Sequence, residues 1–316
     1  MKTVLVTGGA GAIGSHLVRR LCIDHSVLVL DDLSSGWLEN IRGLPIQFWR
    51  GSVMDDELLR EVFAAKPTVV LHLAANFANQ NSVDYPQKDL LVNGLGTLKV
   101  LQYSRDNSVE RFVYTSSSCV YGNGHGAIGE GSHSLSLDTP YAVTKLLGEQ
   151  YTRFFQQHHN LPTAILRLFN SYGPGEHPGK YRNVIPNFIH RALRNEPLII
   201  TGTGNETRDY TFIDDTVNAI LLAMTDVSAV GKIFNTGTGT ETSTRDIAER
   251  IKMLCESSST IEYRPKRGWD SVDRRCSDIS LIKTILGYAP STGLDAGLTQ
   301  TIDWFRTNHL ADLPAS

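Results

Sequence analysis

The stretch Thr3-Val4-Leu5-Val6-Thr7-Gly8-Gly9-Ala10-Gly11-Ala12-Ile13-Gly14-Ser15-His16-Leu17 reads as a strand, a glycine-rich turn and the first turns of a helix. Gly8, Gly11 and Gly14 fall in the spacing GxxGxxG. Glycine at these points permits a tight turn, lets backbone approach a pyrophosphate and lets the helix pack closely on the strand. The free N–H groups of the helix's first turn then face an anion. The next apolar run, Ser26–Asp31, ends in a carboxylate about twenty residues beyond the glycines, where it can take the adenosine ribose hydroxyls of a dinucleotide. Asp31 and Asp32 would repel a 2′-phosphate, and residues 31–36 contain no Lys or Arg, so NAD is expected over NADP.

Outward from this turn, Val4–Thr7, Ser26–Asp31, Val69–Leu73, Arg111–Thr115 and Thr163–Phe169 read as strands with amphipathic helices between them. Their nearly unbroken apolar character predicts a parallel sheet covered on both faces. From about Ser171 the regularity breaks into the loop Gly173–Gly179, a helix over Pro186–Arg194 and a second loop, Gly202–Asn205. Lys232–Thr236 then reads as a return to the main sheet. The expected architecture is α/β, a Rossmann-type doubly wound parallel sheet (1–170 with 206–238) and a smaller α/β substrate-binding lobe (171–205 with 239–316).

The chain has 316 residues, 41% hydrophobic and 20% charged, with a net charge of -3. That balance excludes a dominant basic face for nucleic acid and points to small-molecule partners. Cys22, Cys119, Cys255 and Cys276 form no CxxC pair, and no histidine spacing suggests a metal site. Met1 leads directly into the first strand, and no apolar run approaches the roughly 18 residues of a membrane span, so no membrane partner and cytoplasmic residence are expected. His72, on an apolar strand, reads as a satisfied core histidine.

A second constellation lies at Ser116-Ser117-Ser118, after the strand Arg111–Thr115, and at Pro140-Tyr141-Ala142-Val143-Thr144-Lys145. Tyr141 and Lys145 stand at i and i+4 and share a helix face. A lysine ammonium there is expected to favour the phenolate and lower the tyrosine pKa, making a usable base. A serine hydroxyl on the neighbouring strand can bond the same substrate oxygen while hydride leaves a carbinol carbon.

Several motifs in order resemble the extended short-chain dehydrogenase/reductase family, in its nucleotide-sugar epimerase and dehydratase branch. They are TGGAGAIGSHL at 7–17, Asp31-Asp32-Leu33, HLAA at 72–75, Asn93 with Gly96-Thr97, SSSCVYG at 116–122, PYAVTK at 140–145, RLFNSYGPG at 167–175, RDYTFIDD at 208–215 and RGWD at 267–270. The resemblance implies Ser117 as the catalytic hydroxyl, Tyr141 as the base and Lys145 as its cofactor-binding partner. It carries Gly8, Gly11, Ala12, Ile13, Gly14, Asp31, Asp32, Ser35, Gly36, Ser52, Val53, Leu73, Ala74, Ala75 and Asn93 into an NAD site. It also implies a nucleotide-diphosphate sugar, a UDP-sugar favoured, held by Ser117, Ser118, Asn170, Val184, Arg208, Arg267 and Asp270. Arg208 and Arg267 would clamp the diphosphate, Asp270 the ribose, and Asn183–Pro186 the base. A homodimer is implied through helices around Asn93–Ser104 and Tyr141–His158.

Dehydratases of this branch resembled here carry Asp-Glu where this chain has Ser118 and Cys119. The pattern therefore favours 4-epimerisation, with hydride removed from and returned to sugar C4. A dehydratase or reductase using the same residues, and a non-catalytic NAD-sensing protein, are the alternatives. The chain departs from the branch at Gly51-Ser52-Val53, which lacks an aspartate for adenine, and at Phe77, which replaces a lysine. Arg274 stands where the branch gates the sugar substituent; it is either a reader of a uronic acid carboxylate or a surface arginine in the run Arg274-Arg275.

Overall fold

The computed structural model describes residues 1–123, 126–132 and 137–308. Strand β1 (Thr3–Thr7) passes through the glycine turn into α1 (Ala12–Leu21), followed by β2 (Ser26–Asp31), β3 (Ile46–Arg50), α2 (Asp56–Ala64) and β4 (Val69–His72). Helices α3 (Asn79–Asp84) and α4 (Pro86–Asp89), a π-helical stretch Leu90–Gly96 and α5 (Thr97–Asp106) lead to β5 (Arg111–Ser117). Then come β6 (Ala127–Ile128), α6 (Pro140–His159), β7 (Thr163–Leu168), β8 (Ser171–Tyr172), α7 (Val184–Leu193), β9 (Leu198–Thr201), β10 (Thr207–Asp209), β11 (Thr211–Phe212) and α8 (Ile213–Thr225). The chain continues through β12 (Ile233–Thr236), β13 (Glu241–Ser243), α9 (Thr244–Leu254), β14 (Ile261–Arg264), β15 (Arg274–Ser277), α10 (Ser280–Leu286) and α11 (Leu294–Thr307).

Among the described residues, seven strands form one parallel sheet in the order β12-β7-β5-β4-β1-β2-β3. Strand side chains alternate between faces, and both faces are covered. Val4, Val6, Val29, Leu71 and Leu166 share one core with side chains of α1, α8 and α10, while Leu5, Leu28, Val70, Phe112 and Ile165 share another with α2, α5 and α6. The strand order reverses between β1 and β4, which opens a crevice at their C-terminal ends, the usual ligand position in such sheets.

The second lobe packs α7, α9 and α11 around a separate core that includes Phe188, Ile251 and Phe305. A four-stranded sheet runs β13-β10-β15-β6, and β14 pairs with β9. The lobes interleave. Ile282, Leu286 and Tyr288, from the end of the chain, pack into the core of the main sheet, and Ile128, from before α6, pairs with Ser277. Among the described residues no helix is long and apolar enough to cross a membrane.

Candidate active site

A cavity of about 800 Å³ occupies the crevice and continues between the lobes. The turn after β1 forms its floor. Gly8 has φ +73°, and a Cβ there would stand 2.8 Å from the Ala74 nitrogen; at Gly14 it would strike the Gly8 carbonyl oxygen. These two positions explain the spacing in backbone terms. The first turn of α1 carries no acidic side chain, so its N–H groups remain available to an anion.

Asp31 lines one end of the cavity. Its carboxylate accepts the Ala10 N–H (2.9 Å) and the Leu33 N–H (2.8 Å). Burial pushes its pKa up, and those amide bonds partly oppose the shift. Asp32, Ser35, Gly36, Ser52, Val53, Leu73, Ala74 and Ala75 line the same end together with Gly8, Gly11, Ala12, Ile13 and Gly14. An open helix N-terminus and a carboxylate at the end of the next strand, in one cavity, fit a dinucleotide. Asn93 does not line it. Asn93 is buried, with Oδ1 accepting the Asn76 N–H (2.7 Å) and Nδ2 donating to Asp89 (2.8 Å), so it braces Asn76, which does line the cavity.

At the opposite wall Thr139 caps α6 by accepting the Ala142 N–H (3.3 Å), and Pro140 takes the first helical position. This start aims Tyr141 and Lys145 into the cavity together. Ser116 and Ser117 both line the cavity, Ser116 donating to Glu149 behind it (2.5 Å). Ser117 Oγ accepts the Cys119 N–H (3.2 Å) and lies close enough to Tyr141 to act on its phenol. Lys145 Nζ donates to the Thr115 carbonyl (2.9 Å) and lies 5.7 Å from the Tyr141 ring centroid.

The electrostatics correct the expected lowering of the tyrosine. Burial pushes the Tyr141 phenol well above its ordinary range, Cys119 and Asp89 add to this, and Ser117 opposes it. Burial also pulls the Lys145 ammonium down to about 8, with Asp89 opposing most strongly. Loss of water disfavours both charged forms and outweighs the mutual help that helix spacing suggests. His72 is satisfied, between Thr7 Oγ1 (2.7 Å) and Thr97 Oγ1 (3.0 Å).

Ser118 lines the cavity next to Ser117, and the far end gathers Asn170, Val184, Arg208, Arg267 and Asp270. Arg208 donates to the Val272 carbonyl (3.1 Å) and faces Asp270 at 3.7 Å, while the Arg267 guanidinium lies 5.7 Å from the Trp269 ring centroid. Arg274 is outside this group. It is exposed and paired with Glu241, so the surface arginine is the one the structure supports and the carboxylate-reading role does not hold. The side chain that does enter is Arg275, one residue later on β15. Sequence reading also missed Arg182, which donates from the second lobe to the Ser35 carbonyl (2.7 Å), and Gln80, which accepts from Trp269 Nε1 (3.0 Å). These partners are distant in sequence, and no local motif announces them.

The profile of the NAD dependent epimerase/dehydratase family matches residues 4–237. A UDP-glucose 4-epimerase of Mycolicibacterium smegmatis is 35% identical over 312 residues, covering 97% of this chain and 99% of that protein. The structure of an epimerase from the pseudomurein-containing methanogen Methanothermobacter thermautotrophicus superposes with a TM-score of 0.97 at 48% identity, over 99% of this chain and 95% of that one. The UDP-glucose 4-epimerase of Thermotoga maritima, solved with UDP-glucose, gives a TM-score of 0.93 at 34% identity, over 97% and 99%.

Proposed function

The chain belongs to the NAD dependent epimerase/dehydratase family, and from that premise we propose that it is a UDP-sugar 4-epimerase acting on a UDP-hexose or UDP-hexuronate. One observation carries the reading. Ser117 and Tyr141 meet between a dinucleotide floor and an arginine-lined far wall, and the two residues after Ser117 are Ser118 and Cys119, neither of them a carboxylic acid. A single hydroxyl–phenol pair suffices to move one proton, whereas water elimination calls for added acid and base.

Arg208 and Arg267 hold the diphosphate, with Asn170 beside it, and Asp270 and Val184 serve the nucleoside. Ser117 bonds the C4 hydroxyl and directs it to Tyr141, whose phenolate oxygen takes the proton as a ketone forms at C4. The ketosugar turns while the diphosphate stays fixed, and Tyr141 returns the proton as the C4 alcohol is restored in the inverted configuration. NAD, held by the glycine turn, Asp31 and Lys145, supplies when bound a hydride acceptor, a donor once reduced, and a positive ring that favours the phenolate. Lys145 keeps a second cationic group near the phenol.

NMR of the purified protein with UDP-glucose, UDP-galactose, UDP-glucuronate and dTDP-glucose tests this. Interconversion at C4 without added NADH is expected; a 4-keto-6-deoxy product would overturn it in favour of dehydration. The homodimer belongs to the same proposal. Leu90, Leu91, Leu95, Val143 and Phe154 are exposed on α6 and the helices packed against it, an apolar surface that a second copy would cover. Sedimentation at a single subunit mass would exclude it.

A further inference from the structure

Arg275 is 6% exposed, and its guanidinium lines the cavity. Nη2 donates to the Gly122 carbonyl (2.8 Å), Nη1 to Cys119 Sγ (3.6 Å), and the buried Nε has no partner among the described residues. No acid forms an ion pair with it among the described residues: Glu241 pairs with Arg274, Asp270 faces Arg208, and Asp138, whose charge does act on Arg275, accepts from Ser271. A buried guanidinium that no carboxylate bonds directly is unfavourable unless a ligand brings a negative charge into contact with it.

Register makes the strain greater. Arg208 and Arg275 are paired positions on parallel neighbours β10 and β15, which sets two cations side by side. Their side chains then diverge, Arg208 toward Asp270 and Arg275 toward Cys119. Cys119 is two residues beyond Ser117 and donates its N–H to that hydroxyl. Arg275 therefore stands at the reacting end of the cavity, whereas Arg208 and Arg267 already serve the diphosphate end.

We propose that Arg275 is a specificity residue that binds a carboxylate carried by the hexose close to its reacting carbon. Such a group completes the unpaired guanidinium with a two-pronged, charge-assisted contact, which a neutral hexose cannot do. The carboxylate is either the C6 group of a hexuronate, carried on C5, or a lactyl ether on C3; C3 and C5 flank C4. The inference rests on reading the cavity as a UDP-sugar site.

Calorimetric titration of the NAD-loaded protein with UDP-glucuronate, UDP-N-acetylmuramate, UDP-glucose and UDP-N-acetylglucosamine tests it and distinguishes the two carboxylates. Wild type is expected to prefer one carboxylate sugar to its neutral counterpart. Arg275→Met should weaken that sugar about ten- to hundredfold, the range for hydrogen bonds to charged groups, and leave the neutral sugars little changed. Arg275→Lys should restore part of the loss, and an unaltered melting temperature confirms that Arg275→Met folds. Equal weakening of all four sugars would mark Arg275 as a diphosphate ligand and overturn the proposal, as would a wild type without preference. The binding readout separates this inference from the reaction: tight UDP-glucuronate binding with decarboxylated or dehydrated product would sink 4-epimerisation alone.

Discussion

Glu149 and Arg167 form a two-pronged ion pair, 2.9 and 2.7 Å, between α6 and β7, with both side chains buried. Glu149 lies one turn beyond Lys145, so the pair fixes the rotation of the helix that carries Tyr141 and Lys145. Removing one member leaves a buried charge. Glu149→Ala should therefore cost about 3–5 kcal/mol, measured by urea unfolding. The double variant Glu149→Leu/Arg167→Met should recover a large part of it; a double variant as unstable as the single one would contradict this account.

Tyr141→Phe keeps the ring and removes the proton acceptor. Turnover should fall about 10²- to 10⁴-fold, with UDP-sugar affinity retained in equilibrium titration. Ser117→Ala should lose about 10²- to 10³-fold, the scale of one preorganised donor. If Ser117→Ala were as active as wild type, the hydroxyl would have no part in the proton path.

Complete burial pulls the His72 imidazole down to about 3 from its ordinary 6.5. Between those values the unfolded chain binds a proton at this position that the folded chain does not, so stability rises with pH across the window and is lost as acid is added. The unfolding free energy of wild type should therefore fall more steeply from pH 6.5 to 4 than that of His72→Gln. Parallel curves for the two proteins would show that another group sets the acid limb.

Asp31 has both oxygens on backbone amides and still faces the cavity. Asp31→Ala should weaken NAD by about 1.5–3 kcal/mol, the worth of a hydrogen bond to a charged group, and bring NADP closer to NAD in fluorescence titration. An unchanged NAD/NADP ratio would assign Asp31 to the turn alone.

The glycine turn, Asp31 and the Tyr141/Lys145 spacing were legible because each is written in a few consecutive residues and depends on backbone sterics or helix periodicity. Arg274 and Arg275 were not distinguishable, because in a strand one step along the chain exchanges the two faces. Which arginine enters the cavity is decided by the pairing of β15 with β10, Thr207 beside Arg274 and Arg208 beside Arg275. Asn93 lies in a recognisable motif, yet its bonds run to Asn76 and Asp89, so the motif marks a brace for the site. The pKa shift of Tyr141 escaped a local argument because it depends on excluded water, a property of the whole packed cavity.

Residues 282–292 return to the main sheet, and this packing should make the molecule unfold as one cooperative unit. Tyr288 is fully buried in that sheet's core and donates to the Gly237 carbonyl (3.0 Å), and Asp215 on α8 accepts the Ser291 and Thr292 amides (2.9 and 3.1 Å). A fragment cut after residue 238 would expose that core while retaining every dinucleotide-binding motif. It should remain unfolded, and the intact chain should melt in a single calorimetric transition. The ability to bind the cofactor, written early in the chain, should thus depend on residues 280–292 that carry none of its motifs.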